Sequence, residues 1–261
     1  MQEVASVDFN IQQIADSGQC FRMYQTDDNV CEARALNRSV SIEKKYDKYV
    51  FSCSETEFQN FWFHYFDFGT DYGELKRRIF ATNDEYLKNA VQYGSGLRIL
   101  RQDVWEMIVS FVISQQNNIP RIKKCIRGLI NSNDGKFPTA ADLLQINLDD
   151  LHLGYRKDYL IKIAEDICNE NFSIETLKEM DCAEAIRYLK QLSGVGEKVA
   201  NCVALFGLHK MAAFPVDVWI QRILDTYYAG RNPLDEFGLK DIGGLVQQYM
   251  YFYERRKIVS K

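Results

Sequence analysis

Two kinds of hydrophobic pattern follow one another along the chain. Up to about residue 56, short β-prone runs predominate, and those at 39–45 and 48–53 are separated only by Tyr46-Asp47, which predicts an antiparallel hairpin. From residue 57 onward, apolar residues recur at the three- and four-residue spacing of amphipathic helices. The helices predicted from this spacing are 57–68, 72–81, 83–93, 103–116, 118–132, 139–146, 156–169, 173–180, 181–192, 197–208, 217–228 and 238–257.

The change of pattern predicts a mainly α protein with an N-terminal α+β part. Residues 1–96 are expected to form a small domain with an antiparallel sheet, and residues 97–261 an all-helical region. Gly94-Ser95-Gly96 marks the break between the two. Asn83 is expected to be the N-cap of the third helix. The last helix, 238–257, is a candidate to pack back toward the N-terminal domain.

The composition favours an intracellular globular protein. The chain has 261 residues, of which 46% are hydrophobic and 26% charged, and its apolar runs are shorter than the roughly 20 residues that span a bilayer. Its N-terminus resembles neither a secretory signal nor a transit peptide. Seven scattered cysteines without a CxxC pair indicate reduced thiols and neither a disulfide framework nor a zinc site. A cytoplasmic location is therefore expected.

The charge balance gives no general sign of nucleic-acid binding. Lys and Arg number 32 against 36 Asp and Glu, whereas nucleic-acid-binding domains are usually basic. Charge at an interface is local, however, and one basic face can coexist with an acidic remainder. The run RIKKCIR, at residues 121–127, is the best candidate for such a face.

A glycine turn joins two of the predicted helices. Gly194, Val195 and Gly196 stand between helix 181–192 and helix 197–208, which predicts a helix-hairpin-helix. Amide groups at the start of the second helix could bind a DNA phosphate without reading sequence. The plainer interpretation is an αα-hairpin whose glycines only form the corner.

Lys198 lies just inside the second helix, where the partial positive charge of the helix end disfavours a cation. That charge and desolvation would both favour the neutral amine, and a neutral lysine amine can form a Schiff base. A lysine that only contacts phosphate is the alternative. Asp217 follows 19 residues later (217 − 198 = 19), ahead of an apolar helix. It suits an N-cap, and the same carboxylate could stabilise positive charge that develops on a sugar.

These residues carry a family resemblance. LSGVGEKVANC, at 192–202, followed by FPVDVW, at 214–219, resembles the catalytic signature of the HhH-GPD superfamily of DNA base-excision glycosylases, in its bifunctional, lysine-bearing branch. Within that superfamily, four further stretches are similar to the 8-oxoguanine DNA glycosylase family: SGQCFR at 17–22, LRILRQD at 97–103, QNNIPR at 116–121 and LGYR at 153–156.

The resemblance implies base flipping, excision of 8-oxoguanine, preferably opposite cytosine, and an associated AP lyase activity. Lys198 would attack the sugar C1′ atom, Asp217 would assist, and the Schiff base would undergo β-elimination. The Gly18 carbonyl would accept the N7 hydrogen of the damaged base. The implied base pocket is Gly18, Cys202, Gln247, Tyr251 and Trp219; the wedge and opposite-base contacts are Gln116, Arg121, Tyr155 and Arg156; the backbone-binding hairpin is Gly194, Val195 and Gly196.

The resemblance also implies partners and cofactors. The partner would be duplex DNA that contains 8-oxoguanine, with no membrane and with the enzyme acting as a monomer near the nucleoid. No cofactor would be required. A structural cation could bind the carbonyls of residues 193–198, and because no cysteine follows Cys202, an iron–sulfur cluster is not expected. The short N-terminal part suggests a prokaryotic type of the family.

Three residues depart from the family pattern. Gln116 stands where asparagine is usual, Tyr251 where phenylalanine is common, and Trp219 where many members have a histidine near the flipped phosphate. Two other functions stay open: a related lysine glycosylase for oxidised pyrimidines, and a non-enzymatic protein that uses the hairpin only to bind the DNA backbone. The first usually carries an iron–sulfur cluster, and the pairing of Lys198 with Asp217 argues against the second.

Overall fold

The structure, a computed structural model, describes residues 1–5 and 7–259, and side chains as far as residue 255. Its contacts divide the chain into two compact units. The first unit consists of Met1–Arg34, Ser39–Arg101 and Met211–Lys261, and the second of Ala35–Arg38 and Gln102–Lys210. The division of the sequence into residues 1–96 and 97–261 stays a prediction about domains.

A five-stranded sheet forms near the N-terminus, with the strand order β1-β5-β4-β3-β2. The β1–β5, β4–β5 and β2–β3 pairs are antiparallel. Lys45 pairs with Lys48, so the predicted hairpin with its Tyr46-Asp47 turn is confirmed. The strands are β1 (Gln2–Ala5), β2 (Met23–Asp27), β3 (Val30–Ala35), β4 (Arg38–Lys45) and β5 (Lys48–Phe51).

A short helix, α1 (Ile11–Asp16), interrupts the part of the chain that was predicted to be mostly strand. The side chain of Asn10 accepts hydrogen bonds from the amides of Gln12 and Gln13, both at 3.1 Å, and so caps the helix. Ile11 and Ile14, three residues apart, are fully buried. The capping asparagine and the apolar spacing explain why six residues form a helix here.

Aromatic side chains form the core of the first unit beneath the sheet. Phe9 packs edge-to-face on Tyr49 and on Phe66, with centroid distances of 5.0 and 5.5 Å. The long C-terminal helix packs against α5 (Glu85–Tyr93) and α13 (Val218–Tyr228) of the same unit. The helical segments of this unit after the sheet are α2 (Glu55–Glu57), a π-helix (Phe58–Trp62), α3 (Phe63–Tyr65), α4 (Tyr72–Phe80), α5 (Glu85–Tyr93), α13 (Val218–Tyr228), α14 (Leu234–Phe237), a 3₁₀ turn (Lys240–Ile242) and α15 (Gly243–Val259).

Two predictions in this unit were wrong in detail. Asp84, and not Asn83, caps α5, because the Asp84 carboxylate accepts the Leu87 amide at 2.8 Å. The predicted helix 238–257 begins later, at Gly243, because Gly238 adopts the left-handed conformation at φ +64° and ends α14. Glycine is the residue that adopts this conformation at least cost.

The second unit is helical, as the sequence predicted. Helix α6 (Val104–Ile113) is buried almost all round and packs against α12 (Glu197–Phe206), where the rings of Phe111 and Phe206 stack with centroids 5.5 Å apart. Throughout the described residues, no helix combines the length and hydrophobicity that a membrane span would need. The elements of this unit are α6 (Val104–Ile113), α7 (Ile119–Asn131), α8 (Ala140–Leu143), a 3₁₀ turn (Asp149–Leu151), α9 (Arg156–Cys168), α10 (Ile174–Glu179), α11 (Cys182–Leu189) and α12 (Glu197–Phe206).

Candidate active-site residues

The glycine turn between α11 and α12 has the predicted helical-hairpin geometry. Gly194 adopts φ +73°, and a Cβ atom there would lie 2.5 Å from Cγ of Tyr159 and closer still to Cδ2. Gly196 has an extended conformation, and a Cβ atom there would meet nothing within 4 Å. Val195, between them, is buried. Gly194 therefore serves the fold, whereas the exposed Gly196 leaves the start of α12 open to a large ligand.

Lys198 is the second residue of α12 and is half-buried. Its Nζ lies 3.4 Å from the Ser114 hydroxyl oxygen and 5.3 Å from the ring centroid of Phe111. Among the described residues of the second unit, no carboxylate forms an ion pair with it. An amine beside an aromatic ring and a hydroxyl, without a paired carboxylate in its unit, is placed to act as a nucleophile once it is neutral. Cys202, one turn along the same helix, is buried.

The predicted wedge residues lie close together in the second unit. Gln116 is exposed and adopts φ +46°, which is uncommon for a residue with a side chain. Tyr155 is 44% exposed, and its ring lies 4.6 Å from Cζ of Arg156. Arg121, at the start of α7, donates to the His152 carbonyl at 3.1 Å. The tip formed by Gln116 and Tyr155 therefore presents an amide and an aromatic ring to solvent.

Arg156 is buried, and its guanidinium donates to backbone carbonyls of the same unit. Nε donates to Gln115 O at 2.8 Å, Nη1 to Leu153 O at 3.1 Å, and Nη2 to Gln116 O at 3.1 Å and also to Gln115 O. Most of its N–H groups thus support the turn that carries Gln116. A contact between Arg156 and the opposite base stays a prediction.

Gly18 and Tyr251, both predicted for the base pocket, are neighbours in the first unit. Gly18 adopts φ +79°, and a Cβ atom there would lie 3.3 Å from Cε1 and 3.4 Å from the hydroxyl oxygen of Tyr251. A residue larger than glycine would be strained by its backbone and would press on this ring. The structure therefore requires glycine at this position for two independent reasons.

Gln19 holds the loop of Gly18 in place, although the sequence did not predict it as a site residue. Its fully buried amide donates to Ser17 Oγ at 2.9 Å and to the Arg98 carbonyl at 2.8 Å, and it accepts the Leu100 amide at 2.9 Å. These bonds join the SGQCFR and LRILRQD stretches and hold the loop that carries Gly18. A glutamine directly after a glycine was the only signal in the sequence.

Arg98 is a second missed residue in the same network. Its Nε donates to the Asp8 carbonyl at 2.8 Å and its Nη1 to the Asp67 carbonyl at 2.7 Å, while Cζ lies 4.5 Å from the ring centroid of Tyr72. Burial lowers the pKa of the Arg98 guanidinium. Satisfied donors and stacked rings compensate for this burial and make the Gly18 loop a rigid part of the unit.

Asp217 is the N-cap of α13, as the sequence predicted. Its Oδ1 accepts the amides of Trp219 and Ile220 at 3.0 and 2.9 Å. Both bonds use the same oxygen, so the carboxylate is fixed in orientation while Oδ2 takes no part in the cap. Trp219 is half-buried, and Cζ of Arg222 lies 5.5 Å from its ring centroid.

Gln247 is buried on α15, one turn before Tyr251. Its Oε1 accepts a hydrogen bond from the Gln248 amide at 3.1 Å. In the described part of the chain, no group of three or more His, Cys, Asp or Glu side chains is placed to hold a metal ion.

Comparison with known proteins gives the family. Residues 2–108 match the sequence model of the 8-oxoguanine DNA glycosylase N-terminal domain, and residues 109–236 match the HhH-GPD superfamily base excision DNA repair protein. A probable N-glycosylase/DNA lyase of Methanothermobacter thermautotrophicus is 32% identical over 213 residues, which cover 66% of this chain and 68% of that protein. The chain belongs to the 8-oxoguanine DNA glycosylase family.

Two further relatives of the 8-oxoguanine DNA glycosylase family extend the comparison. The N-glycosylase/DNA lyase of Saccharomyces cerevisiae is 35% identical over 173 residues, 56% of this chain but only 46% of that protein. The solved 8-oxoguanine glycosylase/lyase of Clostridium acetobutylicum, bound to double-stranded DNA with cytosine opposite 8-oxoG, has a TM-score of 0.87 and 34% identity and covers 96% of this chain and 93% of that one.

Membership of the 8-oxoguanine DNA glycosylase family confirms the predicted resemblance and fold class. Relatives come from a yeast and an archaeon as well as a bacterium, so the expectation of a prokaryotic type gains no support. The second unit brings together Lys198, Cys202 and the wedge residues, and the first unit contains Gly18, Gln247, Tyr251, Asp217 and Trp219.

Proposed function

We propose that this chain is a bifunctional DNA glycosylase and AP lyase that excises 8-oxoguanine from duplex DNA, preferably opposite cytosine. The observation that carries the proposal is Lys198: a half-buried amine in the first turn of the hairpin's second helix, without a carboxylate partner among the described residues of its unit. Family membership supports the reaction class. The Clostridium acetobutylicum relative, which binds DNA with cytosine opposite 8-oxoG, supports the substrate.

The proposed chemistry begins with the neutral amine of Lys198. Its lone pair forms a bond to C1′ of the damaged nucleotide, the C1′–N9 bond breaks, and the electron pair leaves with the base. The Asp217 carboxylate stabilises the positive charge that develops on the sugar and can take up the proton that the amine loses. After the sugar ring opens, the lysine–sugar adduct is a Schiff base. Loss of a C2′ proton then expels the 3′ phosphate by β-elimination.

Recognition of the base is assigned to one backbone carbonyl and to four side chains. The Gly18 carbonyl accepts the N7 hydrogen that 8-oxoguanine has and guanine lacks, and a normal guanine would oppose one acceptor to another in a buried place. Tyr251 and Cys202 stack on the base, and Gln247 binds its pairing edge. Trp219 supplies an indole N–H near the flipped phosphate, where a histidine is usual.

Contacts with the gap left by the flipped base, with the unpaired cytosine and with the DNA backbone are assigned to residues of the second unit. Gln116 and Tyr155 fill the space that the flipped base leaves, and Arg121, with Arg156, binds the unpaired cytosine. Gly196 and the amides that follow it bind the backbone. The enzyme acts as a monomer and needs no cofactor. A cation held by carbonyls of residues 193–198 stays a prediction; the Gly194 carbonyl already accepts the Gln115 amide.

Borohydride trapping on an 8-oxoguanine·cytosine duplex tests the proposal. Reduction of the Schiff base converts it into a permanent adduct, so the native chain should form a protein–DNA complex that survives denaturation. Lys198→Gln should abolish this adduct while it retains DNA binding. Lys190→Gln is the matched control, because Lys190 belongs to the same hairpin but pairs with Glu197 at 2.6 Å, and it should form the adduct normally.

Three results would contradict the proposal. An adduct that persists in Lys198→Gln would exclude the assigned nucleophile. Binding without any adduct or base release would indicate a protein that only grips DNA. Excision of oxidised pyrimidines in preference to 8-oxoguanine would move the chain to the related glycosylase type. Single-turnover rates opposite each of the four bases measure the preference for cytosine.

A further inference from the structure

The three residues that follow α6 contact Lys198, the hairpin and Arg156 in the second unit. We call Ser114–Gln116 the 114–116 turn. The Ser114 hydroxyl lies 3.4 Å from Nζ of Lys198, and Gln116 is the exposed wedge residue. Gln115, between them, has no role in the function proposed above.

Gln115 connects this turn to the hairpin. Its side-chain amide donates to the carbonyl of Gly194 at 3.1 Å, across 79 residues of sequence. Its own carbonyl accepts two bonds from the buried guanidinium of Arg156. The residue is therefore fixed through both its main chain and its side chain.

The left-handed backbone of Gln116 and Gly194 makes the anchoring of Gln115 important for the shape of the turn. Gly194, at one end of the bridge, stands at φ +73°, and Gln116, directly after the other end, stands at φ +46°, a left-handed conformation that the surrounding contacts must maintain in a residue with a side chain. Gln116 is exposed, so packing of its own side chain does not fix the turn. The bridge and Arg156 hold it from other elements of the unit, and the side chain of Asn117 closes it locally by donating to the Ile113 carbonyl at 3.1 Å.

We infer that Gln115 is a positioning residue that couples insertion of the Gln116 wedge to docking of the hairpin on the DNA backbone. The inference rests on the proposed function. When the hairpin binds the DNA phosphates, the Gln115 bridge keeps the Gln116 side chain in a fixed position relative to the hairpin. Without the bridge, each would contact DNA independently, and part of the binding energy that unstacks the base would be lost.

The coupling should affect excision and not the lysine chemistry itself. The amide of Gln115 bonds to Gly194, and it is Ser114 that contacts Lys198. An abasic nucleotide has no base to unstack, so its cleavage depends on Lys198 without depending on the wedge to the same extent. The two reactions therefore separate a positioning role from a general loss of structure.

The test uses Gln115→Ala and Gln115→Met, whose side chain has a similar length, cannot donate to the Gly194 carbonyl and adds no charge beside the DNA. Single-turnover excision of 8-oxoguanine should fall about 3- to 10-fold in both, the effect of one neutral hydrogen bond. Cleavage of a preformed abasic site should stay within about twofold on the same reasoning. Gln145→Ala, at an exposed glutamine of the same unit, is the control and should change neither rate.

Each other result is decisive. Unchanged excision in both variants, with an active native chain, would overturn the role of Gln115 alone. An equal fall of excision and abasic-site cleavage would show that the bridge serves only stability, and a thermal unfolding scan would record the same loss. A native chain that neither excises nor cleaves would overturn the proposed function and this inference with it.

Discussion

Gly194→Ala is expected to destabilise the protein strongly, whereas Gly196→Ala, two residues away, is not. An alanine at 194 would retain φ near +73°, where a Cβ atom costs about 1–2 kcal/mol. That Cβ would also lie 2.5 Å from Cγ of Tyr159, so the ring must move; overpacking of this kind costs about 1–3 kcal/mol. Together these effects predict a loss of about 2–5 kcal/mol.

Gly196→Ala causes neither backbone strain nor a steric clash. No atom lies within 4 Å of a Cβ atom there, and the backbone is extended. The remaining cost is that alanine is a poorer N-cap than glycine, about 0.5 kcal/mol. Because about 1 kcal/mol corresponds to about 2–4 °C at this chain length, the two variants should differ in Tm by roughly 5–15 °C.

The assay is thermal unfolding of both variants, repeated in a Tyr159→Ala background. Removal of the ring should lower the cost of Gly194→Ala to the backbone strain alone, about 1–2 kcal/mol, and leave that of Gly196→Ala unchanged. Equal Tm values for the two alanine variants would refute the reasoning. So would a cost at 194 that does not depend on Tyr159.

Two further predictions concern the first unit. Asp217→Ala removes the cap of α13 and should lower the free energy of unfolding in urea by about 1 kcal/mol. Asp217→Asn keeps the accepting oxygen and should keep the stability, but it should slow excision by about 10²- to 10³-fold. An unchanged single-turnover rate in Asp217→Asn would exclude a catalytic role. Tyr249→Phe should be neutral or stabilising at pH 7, because the buried hydroxyl has no hydrogen-bond partner among the described residues. Burial also raises the pKa of Tyr249, so above about pH 10 the unfolded chain loses this proton before the folded one does, and stability falls with pH. Unfolding at about pH 9 and 11 should show a smaller fall in Tyr249→Phe, and an identical fall would contradict the assignment.

Local signals in the sequence were enough for the hairpin and the cap of α13. Gly194 and Gly196 flank a single residue between two apolar helical patterns, and Asp217 directly precedes an apolar helix, so spacing alone places them. The helix α1 was missed because six residues give little periodicity, and the π-helix because its widened turn has no clear sequence pattern. The shift of a cap from Asn83 to Asp84 reflects two adjacent residues that are both suitable.

The supporting residues could not be predicted because their partners are distant in sequence. Gln19 bonds to residues about 80 positions away, and Gln115 to Gly194 at a similar distance. The backbone contacts of Arg156 could not be predicted from the sequence either. The resemblance suggests a contact with a base, but only coordinates reveal that its guanidinium lies beneath the backbone of the turn that carries the wedge.

The path of the polypeptide through the first unit has a consequence for biosynthesis. Because this unit is built from residues before 102 and after 210, the ribosome must translate the whole of Gln102–Lys210 before the unit can be completed. Helix α5 is not covered until α15, which packs on it and carries Gln247 and Tyr251, has been translated. A nascent chain arrested before α15 would leave the apolar surface of α5 uncovered, whereas the residues of the second unit would already be complete.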